Sequence, residues 1–163
     1  MIIRSEKPGD ENCIYEVTKV AFAPMPFSDG TEQDCVNKLR ADGDLTLSLV
    51  AEIDGTIMGH IAFSPVFFDG VYDHWYGLGP VSAWPQLQKQ GIGKALIEAG
   101  LTELKQLGAK GCVLIGDPGY YHRFGFVADG RISYRDLASE YVQWLSLGDE
   151  KPSGVLTYSP GLE

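Results

Sequence analysis

Gln88-Lys89-Gln90-Gly91-Ile92-Gly93-Lys94 stands between an apolar run and a helical one. Two glycines one residue apart at such a junction leave the backbone free to approach something closely, because neither carries a side chain. Before this stretch, Trp75 to Ala83 read as a strand closed by Trp84-Pro85. After it, Leu96, Ile97, Gly100, Leu101, Leu104 and Leu107 define an amphipathic helix that opens near Gly91, with Gly108 as its C-cap. Gly111 to Ile115 are short and wholly apolar, as in a strand beside a parallel neighbour. Strand, helix and strand in that order predict a right-handed parallel crossover over residues 75–115.

Working outward, Ile2 to Arg4 read as a short strand, and Ile14, Val17, Val20 and Ala21 follow helical spacing from about Asp10. Pro24 and Pro26 stop that helix. Thr31 with Asp34 resembles a capping box, and Cys35, Val36 and Leu39 give a second helix ending near Gly43. The period then changes. Leu45, Leu47, Leu49, Ala51 and Ile53 alternate as in a half-buried strand, Asp54-Gly55 signals a hairpin, and Thr56 to Phe63 return. Asp69-Gly70 marks another turn. Beyond the crossover come a helical turn with two tyrosines, a strand at Phe126-Val127, a segment of undecided type at 134–148 and a strand over Val155 to Tyr158. The expected fold class is α/β, one domain over residues 1–163, with helices on both faces of a mixed sheet.

Composition narrows the function. The net charge is -9, from 22 acidic and 13 basic residues, which repels phosphodiester backbones and argues against nucleic acid as a partner. No run approaches the roughly 18 apolar residues of a membrane helix, and the N-terminus lacks the pattern of a signal peptide. The expectation is a soluble, cytoplasmic protein. Cys13, Cys35 and Cys112 form no CxxC pair and no ligand cluster with His60, His74 or His122, so neither a disulfide framework nor a metal is expected.

The glycine loop suits a phosphate. The first N–H groups of a helix have no intrahelical partner, and the helix dipole adds positive character there. Lys89 and Lys94 supply local positive charge. A P-loop reading fails, because Gln88 stands where the first glycine belongs and Ala95 follows Lys94. A dinucleotide fingerprint fails as well, because Leu96 occupies the place of the third glycine. The pattern [Q/R]xxGx[G/A] is met by Gln88, Gly91 and Gly93.

That third pattern, with Val81-Ser82-Ala83-Trp84-Pro85 before it and Tyr120-Tyr121-His122-Arg123-Phe124-Gly125-Phe126 after it, resembles the GCN5-related N-acetyltransferase (GNAT) superfamily. Gly116-Asp117-Pro118-Gly119-Tyr120-Tyr121 is similar to a bacterial branch of YhbS-like predicted acetyltransferases. The resemblance implies a GNAT fold, a mostly antiparallel sheet with a central splayed parallel strand pair. It further implies that backbone N–H groups of Gln88, Lys89, Gln90, Gly91, Ile92, Gly93 and Lys94 hold the pyrophosphate of acetyl-coenzyme A. By the same likeness, Val81 N–H polarises the thioester carbonyl, Ala83 contacts a pantetheine amide, and Tyr121 is the general acid for the leaving thiolate. Arg123 and His122 stand where they could meet the nucleotide.

Some family members carry a glutamate base where this chain has Gly77. His74 is the nearest substitute by chemistry, since its unperturbed pKa near 6.5 suits a base; Asp73, His60, Glu52 or a water chain are others. The acceptor pocket would be walled by Phe22 to Phe27 and by Tyr134, Tyr141 and Trp144, whose rings serve equally to cover a sheet edge or build a homodimer contact. The expected reaction is direct transfer of acetyl to a primary amine, small or on a protein, in a ternary complex. The competing expectation is a non-catalytic acyl-coenzyme-A sensor.

Overall fold

The computed structural model describes residues 1–163. Along the chain stand β1 (Ile2–Ser5), α1 (Glu11–Phe22), α2 (Glu32–Asp42), β2 (Leu47–Ile53), β3 (Thr56–Phe68), β4 (Trp75–Ala83), α3 (Ile92–Gln106), β5 (Gly111–Ile115), α4 (Pro118–Tyr121), β6 (Ile132–Ser133), β7 (Val142–Ser146) and β8 (Gly154–Tyr158). The main sheet runs β1-β2-β3-β4-β5-β7, with β8 paired to the far end of β3 and β6 to β8. Only β4–β5 and β6–β8 are parallel. The fold is mixed α/β with a central parallel pair, as expected.

The hairpin between β2 and β3 turns on Asp54 at φ 50° and Gly55 at φ 79°. A two-residue turn of this hand needs positive φ at both central positions. Side chains then alternate across the sheet. Leu49, Ala51, Ile61 and Phe63 join Ile92, Leu96, Ile97 and Leu104 of α3 in one core. Val50 and Ile57 face the other way and pack with Ile14 of α1 and Val36 of α2. Leu96 and Leu104 are fully buried, each contributing roughly 1.5–3 kcal/mol of apolar burial. Gly100 brings α3 directly onto Phe63, whose ring fills the space a Cβ would take.

Some local expectations differ from what is seen. Thr31 makes no side-chain cap for α2; its hydroxyl donates to Asp29 instead, at 2.6 Å. Phe126-Val127 is not a strand: only Val127 bridges to Trp144, because Gly125 closes a tight turn at φ 98° just before it. The undecided segment at 134–148 supplies β7, which completes the sheet antiparallel to β5. β3 also runs past Phe63 to Phe68, where Val66 to Phe68 leave the main sheet to pair with β8.

The face covered by α1 carries a buried polar row. His60 is fully buried, and its Nε2 lies 2.8 Å from Ser48 Oγ, which in turn donates to Glu6. Arg40 of α2 grips the same carboxylate through Nε at 2.8 Å and Nη2 at 2.9 Å. His60 Nδ1 and the Ser64 and Ser82 hydroxyls are buried without a partner.

Replacing Gly100 with valine should cost roughly 1–3 kcal/mol by forcing side chain into the Phe63 ring, read from a urea midpoint shift. Burial lowers the His60 pKa to about 4, below the unfolded value near 6.5. The stability gained from the neutral ring is therefore present above pH 6.5 and lost as pH falls through 4. Urea unfolding at pH 7 and pH 4 should differ by on the order of 3 kcal/mol from this group, and His60→Gln should reduce that difference.

Candidate active site

The parallel pair is short. β4 matches β5 only at Trp75 with Gly111, Tyr76 with Cys112 and Gly77 with Val113. From Leu78 onward β4 keeps β3 alone, through pairs such as Ile61 with Val81, His60 with Ser82 and Gly59 with Ala83. Trp84 N–H donates to Met58 O at 3.1 Å. Antiparallel ladders alternate, so Ser82 and Trp84 turn their backbone groups to β3, whereas Val81 and Ala83 present theirs to the opening beside β5. The Ala83 carbonyl there accepts a hydrogen bond from Gln88 Nε2 at 3.2 Å. Gln88 thus ties the glycine loop to the free edge of β4.

The loop itself is shaped for contact. After a tight turn at Pro85–Leu87, Lys89 at φ 68° and Gly91 at φ 86° reverse the chain into α3. The backbone N–H groups of Lys89, Gln90, Gly91, Ile92, Gly93 and Lys94 donate to no backbone carbonyl, and the first helical bond of α3 runs from Ala95 to Gly91. Six successive free donors at a helix N-terminus make an anion cradle. They open onto a groove of about 630 Å³ whose lining includes Val81, Ser82, Ala83, Gln88, Lys89, Gly91, Gly93, Lys94 and Ile97. Tyr120 and Arg123 form its far wall. The Arg123 guanidinium lies 4.5 Å from the centre of the Tyr120 ring and donates to the Tyr120 carbonyl at 2.9 Å.

Tyr121 stands just behind Tyr120, the two rings edge to face at 5.0 Å. Its ring covers Gly116 at the end of β5, where a Cβ would lie 2.6 Å from Cε2. Burial, and then the neighbouring Tyr120, Asp117 and Cys112, push its phenol up to about 12. The proton is firmly held at neutral pH. The place of Tyr120 in the groove wall was not read from the sequence.

The remaining candidates are dispersed. His74 is exposed at the opposite end of β4, at φ 62°, with Nδ1 3.3 Å from the Tyr72 hydroxyl. Seven residues of extended chain separate it from Val81, on the order of 20 Å, so the structure does not bring it to the groove. Asp73 is paired with Lys110 at 2.6 Å and Glu52 with Arg4 at 3.3 Å. Gly77 cannot carry a side chain here, because a Cβ would lie 2.5 Å from the Tyr158 ring and 3.0 Å from Val66 Cγ1. Tyr158 comes from the last strand, and nothing local to residue 77 signals it. Of the expected pocket aromatics, Tyr134 and Trp144 are buried in a second core with Val66, Trp75 and Tyr158. Phe27 and Tyr141 are exposed. No helix is long and apolar enough to cross a membrane.

Known proteins share this fold. The model of the acetyltransferase (GNAT) family matches residues 14–126. The uncharacterized N-acetyltransferase YhbS of Escherichia coli K12 is 39% identical over 127 residues, 77% of this chain and 73% of that protein. The crystal structure of a GNAT family acetyltransferase from Brucella melitensis in complex with acetyl-CoA superposes with a TM-score of 0.90. It shares 48% identity over 99% of this chain and 97% of that one. Escherichia coli YhbS in complex with CoA also gives a TM-score of 0.90, at 32% identity over 99% and 91% of the two chains. With its splayed β4–β5 pair and its run of free amides entering α3, this chain belongs to the GNAT family of acetyltransferases.

Proposed function

We propose that the whole chain, residues 1–163, is one transferase domain that moves acetyl from acetyl-coenzyme A to a primary amine. The observation that carries this reading is the alignment of two sets of unpaired backbone donors along one groove. The amides of residues 89–94 form one set and those of Val81 and Ala83 on the β4 edge form the other. The first set suits the pyrophosphate, with Lys89 and Lys94 adding charge. The second suits the pantetheine arm, which would lie against β4 as a strand would. The bound acetyl-CoA of the Brucella melitensis relative supports this assignment.

Val81 N–H would then donate to the thioester oxygen as negative charge develops there. A preset backbone donor of this kind is worth on the order of 2.7–4 kcal/mol. The amine would attack the carbonyl carbon directly, since Cys112 is fully buried and no cysteine lines the groove. Tyr121 would return a proton to the departing thiolate, and its raised pKa keeps that proton available across the working range. Arg123 on the far wall would meet the nucleotide phosphates.

A second reading, an acyl-coenzyme-A sensor without turnover, is favoured by one observation: Tyr158 closes position 77 to any carboxylate. The two diverge in a thiol-release assay with acetyl-coenzyme A and a panel of primary amines. Release with at least one amine supports the transferase; tight binding with no release from any amine supports the sensor.

Tyr121→Phe should lower kcat by on the order of 100-fold while calorimetry finds acetyl-coenzyme A affinity unchanged. A kinetically silent substitution removes the general-acid role. Gly93 has open space on its groove side, with only the Tyr120 hydroxyl within 4 Å of a Cβ, at 3.8 Å. Gly93→Leu should therefore occupy the cradle and raise the Kd for acetyl-coenzyme A by about tenfold or more, a loss of roughly 1.4 kcal/mol.

A further inference from the structure

An ammonium acceptor must lose a proton before it can attack, and the groove offers no free carboxylate to take it. Gly77 is closed by Tyr158, Asp73 is neutralised by Lys110, and His74 is remote. The α1 face of the sheet supplies another route. Successive strands contribute one polar group each: Ser82 from β4, His60 from β3 and Ser48 from β2, with Glu6 just beyond the end of β1.

Chemistry fixes the direction of this row. A carboxylate only accepts, so Ser48 donates its hydroxyl to Glu6 and receives the Nε2–H of His60, 2.8 Å away. Nδ1 of His60 is then the unprotonated nitrogen, a base without a partner. The Ser82 hydroxyl, a donor without a partner, belongs to the residue directly paired with His60 across β3 and β4. Side chains of directly paired residues share a face; the two atoms make no hydrogen bond to each other in this conformation, so the contact requires a turn of the Ser82 side chain toward Nδ1. Buried polar atoms almost always find partners, and here two complementary ones remain unpaired beside Val81.

Building on the transferase reading, we propose that Ser82, His60, Ser48 and Glu6 relay the acceptor's proton through the sheet to the surface beside Arg40. Ser82 Oγ accepts a proton from the ammonium and passes its own to His60 Nδ1. His60 passes its Nε2 proton to Ser48 Oγ, and Ser48 passes its hydroxyl proton to the Glu6 carboxylate. Glu6 releases it into the hollow of about 290 Å³ that it lines with Arg40 and Thr46. Each group ends with the number of protons it began with and one proton leaves the amine for solvent; His60 is left as the Nδ1–H tautomer, and its proton must return to Nε2 before the next turnover. Burial keeps His60 neutral at physiological pH and so able to accept. The charged groups acting on it are Glu6 and Arg40. The buried residues of α1 over the same face, Ile14, Val17, Thr18 and Ala21, do not ionise. Burial tends to raise the Glu6 pKa, but Arg40 and Ser48 outweigh it and hold the carboxyl below its usual value, so it is ionised and ready to receive.

The test compares wild type with Ser82→Ala, His60→Asn and Glu6→Gln in the thiol-release assay between pH 6 and pH 10, using the most active amine of the panel. At pH 7 each variant should lose on the order of 100-fold in kcat. The gap should close as pH approaches the amine's own pKa, about 10.4 for a lysine-like acceptor, because the free amine needs no relay. Ser82→Thr should restore the rate, and acetyl-coenzyme A affinity by calorimetry should stay constant. A loss equal at every pH, or no loss, overturns the relay while leaving the transferase reading intact. A wild type that binds acetyl-coenzyme A and acylates no amine sinks both. Should His60→Asn fail to fold, Ser82→Ala and Glu6→Gln decide the matter alone.

Discussion

The parting of β4 from β5 after Gly77 is the constraint on which the rest of the molecule depends. A strand inside a sheet spends its backbone groups on two neighbours. β4 does so for three residues and then keeps only β3. The amides of Val81 and Ala83 are left facing an opening, and the chain must still reach α3. It does so through Lys89 and Gly91 in left-handed conformations, which leaves a further run of amides unpaired. Both sets of donors line one groove because Gln88 ties the loop to the Ala83 carbonyl. A fold that closed the β4–β5 ladder would be more fully hydrogen-bonded and would have no opening between the two strands.

The packing around that opening explains why it does not collapse. On one side α3 is drawn tightly to the sheet, with Phe63 in the notch of Gly100 and Ile92 against Gly59. On the other, Tyr158 lies across Gly77 and wedges the point of divergence with Val66 and Trp75. Tyr121 seals the end of β5 by covering Gly116. The glycines at 59, 77, 100 and 116 are thus matched to particular side chains, each allowing a ring or an aliphatic group to come nearer than a Cβ would permit. Large residues fill the space, and the small ones opposite determine where the sheet can open.

Ionisable groups are distributed with the same economy. Outside the groove, several acidic side chains are paired with cations: Asp10 and Glu52 with Arg4, Asp73 and Glu150 with Lys110, and Glu6 with Arg40. Exposed pairs of this kind contribute little to stability. The Glu6–Arg40 pair differs because Ser48 and the buried His60 extend it into the interior. A neutral histidine with an unpaired ring nitrogen is a costly feature to retain in a core. It lies beside the strand that carries Val81.

Much of this was legible in residue order. Period-2 alternation marked β2, Asp54-Gly55 marked the hairpin, and the spacing from Leu96 to Leu107 marked α3, because these signals arise from neighbours along the chain. The glycine loop and the pattern from Tyr120 to Phe126 pointed to the family for the same reason. That position 77 carries no carboxylate was plain from Gly77, but the reason was not, since it is Tyr158, a residue from the last strand, that fills the space. Tyr120 in the groove wall, β7 closing the sheet and the row from Ser82 to Glu6 likewise come from strands remote in sequence. Local sequence determined the elements and the anion cradle, which rest on contacts a few residues apart. Tertiary structure alone decided which side chains share the opening, because that follows from strand order and register, set by long-range packing.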